Sequence, residues 1–371
     1  MAREKFITDY RQDMRIIRTR PQRVLAILIT VLLVGLPFLL NNGWTPPLNF
    51  PWVAWLTVLN LTLTAIIGAA AFNLLVGNTG QVSLAHAGLL IFGTIISGWF
   101  GPLWGWNFWV VLPLTMITGA LAGVVIALPA LRLKGLYLLL ATLGIYYFAY
   151  FVYKWFLVKN FGFIPIIYSF PTVPEWFPWL NEGESGLAIN NNVRWYWTIL
   201  PITALSLLFM SNVIRTSEGR AFAAVKARDT ASSLVGVSPV KSKLLVFMVS
   251  SAFVSMSGAL QSYFLSAREE ASYPFQTTLD YAIMIVLGGF SSILGAVFGA
   301  IFFYGAPVWI DWIRQETPVL RDINFLYSYK SEINLAVFGF FIVFVLVRSP
   351  DGLSGAWKRV KSYFAKWPYS L

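Results

Sequence analysis

The chain has no cysteine among its 371 residues, which excludes disulfides, cysteine-ligated zinc and thiol nucleophiles. It has one histidine, His86. A lone imidazole cannot hold a metal without partners, and no Asp or Glu lies in the neighbouring apolar segments, so no metal site is expected. His86 is then read first as a packed, hydrogen-bonded structural residue and second as the lining of a pathway. No G-x-x-x-x-G-K-[ST], H-E-x-x-H or G-x-S-x-G string occurs, which excludes Walker-type ATP binding and leaves no catalytic residue to propose. Charge is scarce as well: 12% of residues are charged, against about 25% in a soluble protein. The acids Asp280, Asp311 and Glu332 fall at the ends of apolar segments or in loops. A carboxylate kept inside a membrane costs at least ~2.5–3.5 kcal/mol and survives for a function, so their placement argues against coupling to Na+ or H+ through an acid.

What is present is apolar: 57% hydrophobic and 17% aromatic residues. Several runs approach the roughly 20 residues that a spanning helix needs, and no barrel-type alternation is seen, so the fold class is all-α, a polytopic membrane helical bundle with about ten crossings and some broken or short helices. A net charge of +11 would suit nucleic acid, but a bilayer protein acquires that sign from its loops, and nucleic-acid binding is discarded.

In chain order, residues 1–23 form a basic segment retained ahead of a first span at 24–40, and 41–51 a turn rich in Pro and Asn. A span at about 52–75 runs into the polar stretch 72–88, where Gly77 and Gly80 are expected to open the helix while Asn78, Gln81 and Ser83 satisfy the freed backbone groups around a cavity. A helix at 83–100 leads to a turn bearing Trp99, Trp104, Trp106 and Trp109, an interfacial aromatic belt. The span 108–128 carries Gly119 and Gly123 four apart, a face for close helix packing. Gly135 opens a span to about 153, and 154–194 is a long external loop rich in Pro and Trp. Spans at 195–213 and 244–265 flank a hydrophilic island at 215–243, and the second carries Ser250, Ser251, Ser255, Ser257 and Gly258 as polar packing.

Residues 277–313 are too long for one crossing, about 55 Å as one helix against a ~30 Å core, and must fold back at 288–292. Half-helix ends there, Gly288, Gly289 and Ser291, are candidates to line a pathway together with Asn78, Gln81, Ser83 and His86. A last span at 333–347 precedes the basic tail 348–371. With ten crossings, 1–23, 132–134, 215–243 and 348–371 share one side and hold twenty of the 27 Lys and Arg but six of the 16 acids, which makes that side, and both termini, cytoplasmic.

The island reads as one or two short surface helices, with Ala221, Phe222, Val225, Ala231 and Leu234 at helical spacing, ending near Gly236 and Pro239. The run 219–229 (GRAFAAVKARD), with Ala231, Gly236 and Lys243 following, resembles the cytoplasmic coupling segment of ABC importer permeases, most closely the branched-chain amino acid family of LivM type. Four further blocks resemble the same family in order: NLLVG-NT-GQVSL-A-HA at 73–87, LRLKGLY at 131–137 followed by Ala141-Thr142-Leu143, LGG-FS-S-I-LG at 287–295 with Ser291 where Gly is usual, and RSPDGL at 348–353 with Ser349 inserted. The family's TGG-x-x-GL loop is matched only by Gly183-Glu184-Ser185-Gly186-Leu187.

The resemblance implies the ABC importer permease fold in a bacterial inner membrane, and a transmembrane unit at 24–347 with a coupling segment at 214–243. There Gly219, Arg220, Ala221, Phe222, Val225, Lys226, Arg228, Asp229 and Gly236 would contact an ATPase. It further implies a second related permease subunit, two ATP-binding subunits and an extracytoplasmic substrate-binding protein, with no cofactor on this chain and ATP and Mg on the partners. Branched-chain amino acids are the substrate it implies, with urea, short amides or small carboxylates used by relatives. A self-sufficient channel or secondary carrier is the alternative class, and a membrane enzyme built on His86 lacks any partner residue.

Overall fold

The computed structural model describes residues 28, 31–33, 35, 37, 52–133, 135–161, 166–167, 191–265, 267–268, 273–316, 330–349, 351–357 and 359. The basic segment 1–23, most of the first span, the 183–187 string and the end of the tail lie outside them.

The polar interruptions set the helix ends. Helix α1, Trp52–Thr79, has no charged residue and ends where Gly80 takes a φ of +70°. Helix α2, His86–Gly98, passes into a π-helical turn, Trp99–Leu103, that contains Pro102. Asn107 caps helix α3, Phe108–Arg132, by accepting a hydrogen bond from the Trp109 amide at 3.0 Å. Helix α4, Leu136–Phe161, outruns its expected end by eight residues, because the lysines at 154 and 159 extend a helix rather than break it. Helix α5, Asn191–Arg215, turns sharply into α6, Ser217–Ala227, and α7, Asp229–Leu234, before α8, Pro239–Leu265. Helices α9, Gln276–Gly288, and α10, Ile293–Glu316, form the expected fold-back, and α11 is Lys330–Arg348. A two-residue strand pairing, Ile166–Ile167 with Ala267–Arg268, ties the loop after α4 to the chain after α8.

Among the described residues, seven helices are long and apolar enough to cross a membrane. At 13 residues, α9 rises about 20 Å and does not cross by itself, so the fold-back contributes one full crossing and one half-depth arm. Most of α1 and α8 is buried, but little of α4 and α10, which makes α1 and α8 the centre of the bundle and α4 and α10 its periphery.

The centre is held by small residues and hydroxyls. Ser250, Ser255 and Ser257 of α8 donate to the carbonyls of Ala71 (2.8 Å), Leu89 (3.2 Å) and Thr64 (2.8 Å). Gly119 and Gly123 of α3 lie against Ser255 and Ser251, where a Cβ on Gly123 would come within 2.7 Å of the Phe247 carbonyl. Gly258 and Gly93 bring α8 and α2 into backbone contact at Leu90 and Ser255. With lipid tails as apolar as leucine, this close packing and these hydrogen bonds, not aliphatic burial alone, hold membrane helices together.

Candidate functional site

The island meets the bundle at the end where α1, the α9–α10 turn and the segment after α11 also terminate. Helix α6 buries Gly219, Phe222 (1% exposed) and Val225 against α1, α5 and α8. Ala221 is half-buried, while Arg220, Lys226 and Arg228 are exposed. The Arg220 guanidinium donates to the Arg215 carbonyl at 3.3 Å. A Cβ on Gly219 would collide with the Ile214 carbonyl, so the tight elbow from α5 into α6 requires a glycine there. In α7 the apolar residues at helical spacing do not form a buried face: Ser232 is buried, whereas Ala231 and Leu234 point outward. Leu234 is 88% exposed and Val235 76%, beside a turn in which Gly236 takes a φ of +78°. The side chain of Asp229 lies outside the described residues.

Lys226 joins the island to the bundle. Its ammonium donates to the Gly77 carbonyl at 2.6 Å and to Ser291 Oγ at 2.9 Å, so its charge is turned inward, away from the outer face expected to receive a partner. Ser291 Oγ also donates to the Gly77 carbonyl. Asn73, which is 2% exposed, accepts from the Ser291 amide at 2.9 Å and donates to the Ser292 carbonyl at 2.8 Å. Ser291 has a φ of +63°, the left-handed region in which a non-glycine costs roughly 1–2 kcal/mol. Its hydroxyl and amide bonds offset that cost, which is how serine occupies a position where the resembled block has glycine.

The turn is closed from its other side by the segment after α11. A Cβ on Gly352 would lie 2.6 Å from the Gly289 amide nitrogen, and one on Gly289 2.5 Å from the Asp351 carbonyl. Ser349, the inserted residue, donates to the Gly352 carbonyl at 2.8 Å and accepts from Arg359 at 2.6 Å, bracing that segment. Gly288, Gly289 and Ser291 therefore belong to a junction at the island end and do not form a mid-depth half-helix site. The physical reason is that α9 descends to the level of Gly77 before it turns.

The polar stretch after α1 differs from expectation in where it breaks. The helix continues through Gly77 and Asn78 to Thr79 because the Gly80 amide still donates to the Val76 carbonyl at 3.0 Å. Freed amides beyond it are taken up from other helices: Thr142 accepts from Leu84 (2.9 Å) and Thr278 from Ala87 (3.1 Å), while Ser83 accepts locally from Ala85 (3.3 Å). Gln81 is buried with neither amide atom hydrogen-bonded among the described residues, and Asn78 is half-buried. His86 is packed as expected, its ring 4.6 Å from that of Phe72 and 4.3 Å from that of Tyr281, but Nε2 has no hydrogen-bond partner among the described residues. The bundle thus brings Asn73, Gly77, Lys226, Ser291 and Ser292 together by hydrogen bonds, places Gln81 beside Lys226 on one cavity wall, and packs His86 separately between Phe72 and Tyr281. No cluster of three or more potential metal ligands occurs among the described residues.

Asn73, Thr142, Thr278 and Ser292 carry contacts that sequence reasoning did not assign. Asn73, Thr142 and Ser292 stand inside recognised blocks and Thr278 does not, and the partners lie as much as 219 positions away. An apolar groove of about 780 Å³, bordered by Trp55, Phe298, Trp309 and Trp357, lies elsewhere, between α1 and α10.

Comparison with known proteins adds the family. Residues 54–346 match the model described as "Branched-chain amino acid transport system / permease component". The chain is 25% identical over 352 residues to the high-affinity branched-chain amino acid transport system permease protein LivM of Escherichia coli strain K12, covering 90% of this chain and 75% of that protein. It is 24% identical over 354 residues to LivM of Salmonella typhimurium strain LT2, with the same coverage. No solved structure matches. With the family match covering most of the apolar bundle, from α1 into α11, this chain belongs to the permease components of branched-chain amino acid transport systems.

Proposed function

We propose that the chain is the permease subunit of an ATP-driven importer, with the 215–243 island facing the cytoplasm as the seat of an ATPase. One observation carries this reading. The island is anchored inward by Phe222, Val225 and the Lys226 ammonium, yet it offers the apolar pair Leu234 and Val235 outward at the tip of an otherwise hydrophilic segment. Exposed leucine and valine on a polar surface suit burial by a partner protein. The chain has no ATP-binding motif, so hydrolysis belongs to two partner subunits that carry ATP and Mg. A second, related permease and an extracytoplasmic binding protein complete the assembly. The solute is a branched-chain or related amino acid, as the names of the LivM relatives suggest.

On this reading a push at Leu234 and Val235 travels through α6, and Lys226 delivers it to the end of α1 and to the α9–α10 turn together. Reversing the charges of Arg220 and Arg228 is expected to uncouple ATP hydrolysis from uptake while the helices stay folded, and the chain is expected to co-purify with an ATP-hydrolysing subunit. Solute-driven uptake by the chain alone, without any ATPase, would contradict the proposal.

A further inference from the structure

A cavity of about 500 Å³ opens at the island end between the chain after α1, the start of α4 and the island. Its two walls differ in chemistry. One is carbon, from Leu133, Leu138 and Leu139; the other carries Lys226, Arg228 and Lys243, and among the described side chains no carboxylate lines the cavity. Lys226 is committed to Gly77 and Ser291, and its stem lies 3.5 Å from the Cβ position of Gly80. Lys243 is half-buried at the wall, and Arg228 is exposed with no side-chain partner among the described residues. Beside the cavity, Leu136 and Tyr137 at the start of α4 are 68% and 72% exposed, as expected of a helix that enters lipid at this level.

A recess that is cationic on one wall, hydrocarbon on the other and set at the membrane boundary has few suitable occupants. Water leaves the leucines wet, and a small free anion neutralises the cations without covering the leucines. A zwitterionic lipid covers the leucines but brings its own cation to Arg228. We infer that the cavity is a site for an anionic phospholipid, with its phosphate between Arg228 and Lys243 and the first part of an acyl chain along Leu133, Leu138 and Leu139. Arginine's fork matches phosphate oxygens bidentately, and basic recesses between membrane helices suit anionic headgroups. Lipid held there pins the start of α4 to the island, independently of any transport role.

The test uses the full-length chain in detergent, titrated with phosphatidylglycerol, phosphatidylcholine or inorganic phosphate and read by native mass spectrometry. Phosphatidylglycerol is expected to bind at least about fivefold more tightly than phosphatidylcholine, and Arg228→Gln with Lys243→Gln to abolish that preference. Lys241→Gln, which removes one exposed charge outside the cavity, is expected to keep it, with thermal melts showing that all variants fold. Equal binding of the two lipids, a preference that survives the double variant, or an equal loss in Lys241→Gln overturns the inference. So does displacement of phosphatidylglycerol by an equal concentration of inorganic phosphate, which would make the site one for a free anion.

Discussion

Gly77→Ala puts two effects of opposite sign in competition. Alanine inside a helix is favoured over glycine by up to ~1 kcal/mol. Against that, the new Cβ would collide with the Asn73 side-chain oxygen and lie 2.6 Å from the Ser291 nitrogen, so the Asn73 amide and the α9–α10 turn must both withdraw. That breaks the Asn73 bonds to Ser291 and Ser292, each worth about 0.5–1.5 kcal/mol net, and strands a buried amide at a further ~1–3 kcal/mol. Partial relaxation leaves a loss of about 2–4 kcal/mol, which exceeds the propensity gain and makes the variant less stable by roughly 1–3 kcal/mol. Gly144→Ala is the matched control, because nothing lies within 4 Å of its Cβ position and only the propensity gain remains. Thermal unfolding of the full-length chain in detergent should show Gly77→Ala lower by about 2–6 °C and Gly144→Ala unchanged or higher. If both variants shift together, the three-way junction does not hold this end of the bundle.

Gly219→Ala should fold yet lose most uptake in the assembled transporter, because the elbow between α5 and α6 has to open to clear the Ile214 carbonyl; full activity would show that the elbow angle is irrelevant. Ser250→Ala removes one interhelical hydrogen bond, to the Ala71 carbonyl, and should cost about 0.6 kcal/mol, whereas Gly258→Ala forces α2 and α8 apart against the Leu90 carbonyl and should cost several-fold more in the same melt. Equal effects would show that hydroxyl bonds and close approach contribute alike. Because the chain is free of cysteine, a single cysteine at Val235 gives an unambiguous accessibility probe, and on the proposed topology it reacts only with reagent on the cytoplasmic side. Labelling from outside would invert the arrangement of the whole bundle.

Much of the scaffold could be read from residue types because the relevant signals are local. Apolar runs locate the central spans, the length of 277–313 with its glycines at 288 and 289 locates the fold-back, and spacing marks Gly119 and Gly123, as residue type marks the serines of α8, for packing. Helix ends were less legible. The helix of α1 runs past Gly77 because its hydrogen-bond ladder persists to Gly80, and α4 continues through two lysines at the start of the polar interval read as a loop. The junction was hidden for another reason. Asn73 and Ser291 are 218 positions apart, and nothing local distinguishes a long-range hydrogen bond from general polarity. Lys226 looked like any outward cation until the fold placed a carbonyl and a hydroxyl beside its ammonium. Leu234 shared the spacing of the buried face, but the extended residue Arg228 between α6 and α7 breaks the phase, and the leucine emerges on the other side.

The seam along α8 limits which motions the molecule can make. Where glycine and serine let main chains touch, neighbouring helices have no compliant side chains to slide over, so α1, α2, α3 and α8 are expected to travel as one solid piece. Any opening and shutting then falls to the outer helices, whose bulky, lipid-bathed leucines and phenylalanines can glide at little cost. A drug or mutation intended to freeze the cycle would act best at that outer boundary.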